Sequence, residues 1–357
     1  MEKHATIIAV LLILVVSGLG GVYFYYSKTL KERNTEKFNA AYGEAKLLHR
    51  RGEYDMAIAK FNEAIRYAPT GALQARVKLR IASGMLHGSD MSAYERAVQL
   101  YKEIINDQTL PSSIRAGAMN EMAFVFDRTK DAEFVARTVF NEEPYRMYFR
   151  ESQTGIYGAV RKIYEQSDLL YPTAFAKLQI AAKYAIPLLN RQTEPHLTAS
   201  QTAGLINKNL DNAVPLMQSL PYDVSTVAYM QLLRATALKA VEPIREDVAV
   251  KDVEAAYQEA IVAAGASSDA DSKYTLILAR LFYAMTLADK FGESRTEDIS
   301  NLISSLIREE VSFQHLTAYL RYFATASPDD FRKRSLLKIS EISPEFRDLL
   351  SELGWGI

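Results

Sequence analysis

Ala41-Tyr42-Gly43-Glu44-Ala45-Lys46-Leu47-Leu48, a polar break at Arg50-Arg51-Gly52, and Glu53-Tyr54-Asp55-Met56-Ala57-Ile58 running on through Phe61, Ala64 and Pro69 decide the fold of this chain. The stretch reads as two short amphipathic helices with a tight turn between them. Helices approach to about 8–10 Å only where small side chains line the contact. Ala57 and Ala64 supply them on the second helix, and Phe61 fills the gap beside them. Gly52 tolerates the positive φ of a turn, and Pro69 lacks the N–H that would continue a helix.

This pattern, Ala57-x3-Phe61 with Ala64 one turn on and Pro69 closing the unit, resembles one tetratricopeptide repeat, a helix-turn-helix unit of about 34 residues. The family's Trp, Leu, Gly and Tyr positions in the first helix fall on Ala41, Glu44, Ala45 and Leu48, so only small and large apolar character is kept, at Ala45 and Leu48. A second copy runs from Leu73 to Leu86 and then through Tyr94-x2-Ala97-x3-Tyr101 to Pro111, with an insertion placed at Gly84 to Ser92. A third carries Ala118, Met122 and Phe126, then Ala136-x3-Phe140 and Pro144. Val253, Tyr257 and Ala260 echo the second helix again, with Leu278, Leu281, Phe282 and Met285 as its neighbour across the loop Gly265 to Asp269. A single repeat cannot bury its own apolar face, so tandem copies imply stacking. The resemblance therefore implies an all-α fold: a right-handed superhelix of antiparallel helix pairs whose first helices line the concave surface.

Composition bounds the function. The 357 residues are 48% hydrophobic, which is ordinary for a globular chain. The net charge of −1 gives no global attraction to nucleic acid. The absence of cysteine removes disulfides, thiolate metal sites and thiol nucleophiles. There is no Asn-x-Ser/Thr acceptor site, which speaks against an endoplasmic-reticulum lumen.

In chain order, residues 1–6 form a short head and 7–27 an uncharged, largely apolar run ending in Tyr23-Phe24-Tyr25-Tyr26. Its length suits a membrane-spanning helix better than a cleaved signal, whose apolar region is about 7–15 residues. This predicts a single-pass membrane protein with an N-terminal anchor. Lys28, Lys31, Arg33 and Lys37 outnumber the cations before the run and favour a cytosolic body by the positive-inside rule. The layout of a very short head and a helical-repeat body instead resembles signal-anchored extracytoplasmic factors of bacteria, which is the side adopted here. A cytosol-facing protein, including one of the mitochondrial outer membrane, is the rival. Residues 28–37 form a charged connector, 38–144 the repeats, 145–247 a divergent helical region, and 248–357 further repeats and a cap. The stripes Ile156, Val160, Ile163 and Tyr164; Phe175, Leu178, Ala182 and Ala185; and Leu205, Leu210 and Val214 mark helices, with breaks or kinks expected at Pro187 and Pro215. Two late helices are expected to start at Ser327-Pro328 and Ser343-Pro344, each with Ser as cap and Pro in the first turn.

The five histidines, His4, His49, His87, His196 and His315, share no metal-ligand spacing. Neither a nucleophile elbow nor a phosphate loop occurs. The reading is therefore of a non-enzyme with no cofactor, no metal and no evident small-molecule substrate. If the repeats align as above, the resemblance directs Asn39, Tyr42, Lys46, His49 and Arg50 into the groove in the first unit, Arg76 and Arg80 in the second, and Arg115 in the third. Lys46 and Arg50, and Arg76 and Arg80, are each one turn apart on one face. Such a basic stripe suits an acidic peptide or a chain-terminal carboxylate. The function expected is a scaffold or chaperone-like accessory binding a protein partner. The alternatives are a structural subunit of a larger membrane assembly and an enzyme whose site carries no known motif.

Overall fold

The computed structural model describes residues 28–87, 91–128, 137–151, 155–194, 196–219 and 222–356. Helix α1 (28–50) runs on from the charged connector without a break. The elements that follow are α2 (Tyr54–Ile65), α3 (Gly71–Met85), α4 (Met91–Asn106), α5 (Ser112–Arg128), a helical turn α6 (137–139), α7 (Tyr145–Glu151), α8 (Gly155–Leu170), α9 (Ala174–Leu189) and α10 (Ala199–Ser219). The chain continues through α11 (Val224–Val241), α12 (Val250–Gly265), α13 (Ala270–Phe291), a 3-10 turn (Gly292–Arg295), α14 (Thr296–Arg308), α15 (Glu310–Ala324), α16 (Phe331–Ile342) and α17 (Pro344–Glu352). No strand occurs among the described residues. The all-helical architecture is that of an α-solenoid.

The deciding hairpin forms as its sequence dictates. Ala57, Phe61 and Ala64 are fully buried and meet Phe38, Ala41, Ala45 and Leu48 of α1 and Val77 and Ile81 of α3 in one apolar cluster. Gly52 turns the chain at φ 80°. A Cβ on Gly84 would come within 3.2 Å of Ile58, so α2 and α3 approach closely where a glycine stands. In the second unit Tyr94, Ala97 and Tyr101 are buried in the same manner.

Successive helices fold back on one another, and the first helices of neighbouring pairs also touch: α3 with α5, α9 with α11, α11 with α13, α13 with α15. The fourth pair departs from this rule. Its first helix, α7, has only seven residues, and α8 packs against α5 in its place. Among the described residues the core is accordingly a chain of four apolar clusters rather than one central mass. Buried ion pairs tie it together: Lys239 Nζ of α11 lies 2.8 Å from Asp289 Oδ2 of α13, and Ser335 Oγ of α16 donates to the same oxygen at 2.6 Å.

Several expectations are corrected. The single-pass membrane assignment does not stand: among the described residues no helix is long and apolar enough to cross a membrane. The stretch 7–27 given as the anchor lies outside those residues. Proline does not break α9 or α10 in mid-helix; Pro187 falls in the closing turn of α9, and α10 runs one turn past Pro215. Val214 is exposed, and α10 buries Ala203, Ile206, Leu210 and Ala213 instead. The cap of α16 is Asp330, not Ser327, because the Asp330 carboxylate accepts the Arg332 N–H at 2.8 Å. Ser343 does cap α17, with Pro344 in its first turn. Trp355 packs, half-buried, against the last apolar cluster under Lys333.

The array curls far enough to meet itself. An ideal Cβ on Gly52, in the α1–α2 turn, would lie 3.6 Å from Ala270 Cβ at the start of α13. His87 Nε2, just past α3, lies 3.7 Å from Asp271 Oδ1. This seam bounds a space on the concave side.

Candidate functional site

Two connected cavities occupy that interior. The outer one, a vestibule of about 570 Å³, is lined on one side by Lys46, His49 and Arg50 of α1 and Arg80 of α3. The opposite side carries Tyr222, Asp223, Val224 and Ser225 at the start of α11, with Ser267, Asp269, Ala270 and Asp271 at the start of α13. The inner one, a chamber of about 270 Å³, shares His49, Arg80, Asp223, Ser225 and Asp271 with the vestibule. Its remaining lining comes from α3, α5, α9, α11, α13, α15 and α16. Helix pairing explains this convergence: apart from Phe61 of α2, which also lines the vestibule, and Arg332 of α16, the lining residues come from the first helices of their pairs and the turns just before them.

The vestibule is electrostatically two-sided. Asp223 and Asp269 are helix caps; Asp223 accepts from the Thr226 N–H at 2.8 Å and Asp269 from the Ser272 N–H at 2.7 Å. Burial pushes the Asp223 carboxyl up, but its bonds from Thr226 and Ser225 and the nearby Arg80 charge hold it below the usual carboxylate range. The basic side therefore faces the ionised Asp223 carboxylate and its acidic neighbours across a gap.

The chamber is aromatic. Phe124 meets Tyr229 edge-on at 5.3 Å and Phe175 edge-on at 6.3 Å, and Tyr319 lies 6.1 Å from Phe282. Two cations are sunk into its wall. Lys183 is 2% exposed, with Nζ 6.0 Å from the Tyr157 ring. Arg332 forms a two-pronged pair with Asp330 at 3.0 and 2.7 Å and lies 4.4 Å from the Phe323 ring centroid. The Tyr319 hydroxyl is buried with no hydrogen-bond partner, and burial pushes its pKa far up, so it stays a neutral donor. Gln179 of α9 lies behind that wall, fully buried, and both its amide oxygen and its amide nitrogen lack partners.

The chain matches no protein-family model, no curated protein and no solved structure. The site has to be read from its own geometry.

Of the residues directed into the groove by the sequence, Lys46, His49, Arg50 and Arg80 line the vestibule together. Arg76 lies one turn before Arg80 on α3 and is exposed. Tyr42 stacks on Phe38 at 5.4 Å and leans on Phe61, with Asn39 exposed a turn earlier. Arg115 is used elsewhere: its Nε donates to the Ile105 carbonyl at 3.0 Å, closing the last turn of α4. Lys183, Tyr229, Tyr319 and Arg332 of the chamber were not anticipated. The signal for the first was present, a lysine on the face of α9 that also carries Phe175, Ala182 and Ile186. No three His, Asp or Glu side chains group as metal ligands among the described residues.

Proposed function

We propose that this chain is a helical-repeat binding module, built as a right-handed tetratricopeptide-like superhelix, whose vestibule and chamber receive a segment of a partner protein. The observation that carries the reading is the convergence of first helices from both ends of the chain, α1 and α3 with α11 and α13, on one continuous interior space. Solenoids present their concave side as a binding surface. A folded partner does not fit a space of this size, and an extended segment does. The facing rows of Lys46, Arg50 and Arg80 and of Asp223, Asp269 and Asp271 favour a segment bearing both charge signs over a purely acidic one.

A photo-crosslinking amino acid placed at Arg50 tests this. The reading expects a crosslink to one defined segment of one partner, lost when Arg80→Glu is added while the helical circular dichroism is kept. Crosslinks scattered over many proteins, or unchanged by Arg80→Glu, contradict it.

A further inference from the structure

We infer that the neck between the two cavities binds the free zwitterion of a large apolar α-amino acid, with its ammonium on Asp223, its carboxylate on Arg80 and its side chain in the chamber. This goes beyond the binding-module reading, because the occupant is a small molecule. The two occupants share Arg80 and exclude one another there. Charge, polarity and size each point to the zwitterion.

Of the residues common to both cavities, Arg80 and His49 stand on one side, and Asp223 and Asp271 on the other. Arg80 makes no ion pair and no hydrogen bond among the described residues. Burial pushes the Asp223 carboxyl up, and Arg80 is near enough to help its hydrogen bonds hold it low. The Thr226 N–H and the Ser225 hydroxyl reach Asp223 through one oxygen, Oδ1, at 2.8 and 2.9 Å. Lone pairs on Oδ2 are left for an ammonium. Unlike charges thus face each other across a gap that neither side chain closes. A group carrying both signs within one residue bridges such a gap. A peptide unit inside a chain does not, because it is neutral.

The lining changes character inward from the neck. Helix α11 passes from Asp223 and Ser225 to Tyr229, Leu232 and Leu233, and α13 from Asp271 to Leu278 and Phe282. Tyr229 lies about 9 Å along α11 from Asp223. On both helices charge gives way to apolar surface, which matches a charged head joined to an apolar tail. Deeper charges balance: Glu121 and Lys183 carry opposite signs, and Arg332 is matched by Asp330. A wall without a large excess of either sign favours an occupant with no net charge. At about 270 Å³ the chamber falls short of the about 300–1,000 Å³ of pockets that enclose drug-sized ligands, and it suits one side chain. An uncharged aromatic molecule fits the chamber on size alone, so the charges of the neck are what a test must isolate.

The test uses the full chain with L-phenylalanine, N-acetyl-L-phenylalanine, L-phenylalaninamide, N-acetyl-L-phenylalaninamide and L-alanine as probes, read by calorimetry and saturation-transfer NMR. L-Phenylalanine should bind saturably. N-acetylation removes the ammonium, amidation removes the carboxylate, and alanine lacks the tail, so each of the other four should bind at least tenfold more weakly. Asp223→Asn keeps a cap on α11, since Asn caps as well as Asp, and Arg80→Gln breaks no bond within the protein. Both variants should keep the helical circular dichroism and weaken L-phenylalanine tenfold or more. L-Phenylalaninamide should weaken in Asp223→Asn but not in Arg80→Gln, and N-acetyl-L-phenylalanine should do the reverse. No binding of L-phenylalanine, equal binding of the doubly capped N-acetyl-L-phenylalaninamide, or variants that weaken every probe alike overturn the inference. A partner captured at Arg50 with no binding of L-phenylalanine also removes it and leaves the binding-module reading intact. Saturable binding of L-phenylalanine with no partner captured does the reverse. Where both bind, saturating L-phenylalanine should lower the crosslink yield at Arg50, and an unmoved yield contradicts the shared neck.

Discussion

His87 Nε2 at the end of α3 stands 3.7 Å from Asp271 Oδ1 in the first turn of α13. Elements far apart in the chain meet there, and the meeting bounds the concave face on that side. His87 also stacks on Tyr54 with ring centroids 3.8 Å apart, which fixes the imidazole on the side of the first repeat. The pair is an ion pair only while the imidazole is protonated. A double-mutant cycle of His87→Ala and Asp271→Ala should give a coupling of at most about 1 kcal/mol, larger in acid than in alkali. A coupling that does not change with pH contradicts the pairing.

The first hairpin is the most local part of the fold and should behave as ordinary core. Phe61→Ala should cost about 3–5 kcal/mol in denaturant unfolding, since Phe61 is fully buried against Ala45, Leu48 and Val77. A cost below about 1 kcal/mol means the cluster is not packed as described.

Asp289 ties α13 to α11 and α16 through Lys239 and Ser335. Burial pushes its carboxyl up, but the Lys239 charge and the bonds from Lys239 and Ser335 hold it below the usual carboxylate range. A depressed carboxyl binds protons more weakly when folded than when unfolded. Its stabilisation is therefore present above the ordinary Asp pKa and is lost as pH falls through the folded value. Asp289→Asn should flatten part of the acid limb of stability against pH. Near neutral pH, Asp289→Ala should cost about 3–5 kcal/mol, because it leaves Lys239 buried and unpaired. Urea titrations at several pH values provide the check.

Arg80 and Arg115 occupy matching places in the sequence pattern but do different things. Arg115 closes α4 through the Ile105 carbonyl, so Arg115→Ala should lower stability by about 1 kcal/mol and leave partner binding unchanged. Arg80 is exposed in the vestibule, so Arg80→Glu should leave stability within about 0.5 kcal/mol and abolish binding. The opposite assignment of effects would place the binding surface elsewhere.

The legible part of the architecture was the local part. Ala57, Phe61 and Ala64 recur at helical spacing within a few turns, so their burial follows from the neighbourhood alone. Lys46, His49, Arg50 and Arg80 reached the cavity because α1 and α3 belong to this same regular stretch. Arg115 missed it because a guanidinium beside an open helix end finds a carbonyl closer than a groove. The acids opposite the basic row were invisible for a different reason. Asp223 and Asp269 serve locally as helix caps, and only the curl of the whole array brings them to face α1. Arg332 was equally hidden, since its helix begins at Asp330 rather than Ser327.

That curl is what the interior space, the two-sided vestibule and the aromatic chamber all depend on. The chain contains no cysteine, so paired spin labels at Arg51→Cys and Ser268→Cys, both exposed positions beside the seam, report on it without background. Double electron-electron resonance should show one narrow population at the short end of the measurable range. A broad or long distance distribution would mean the two ends do not meet and the chamber does not exist as described.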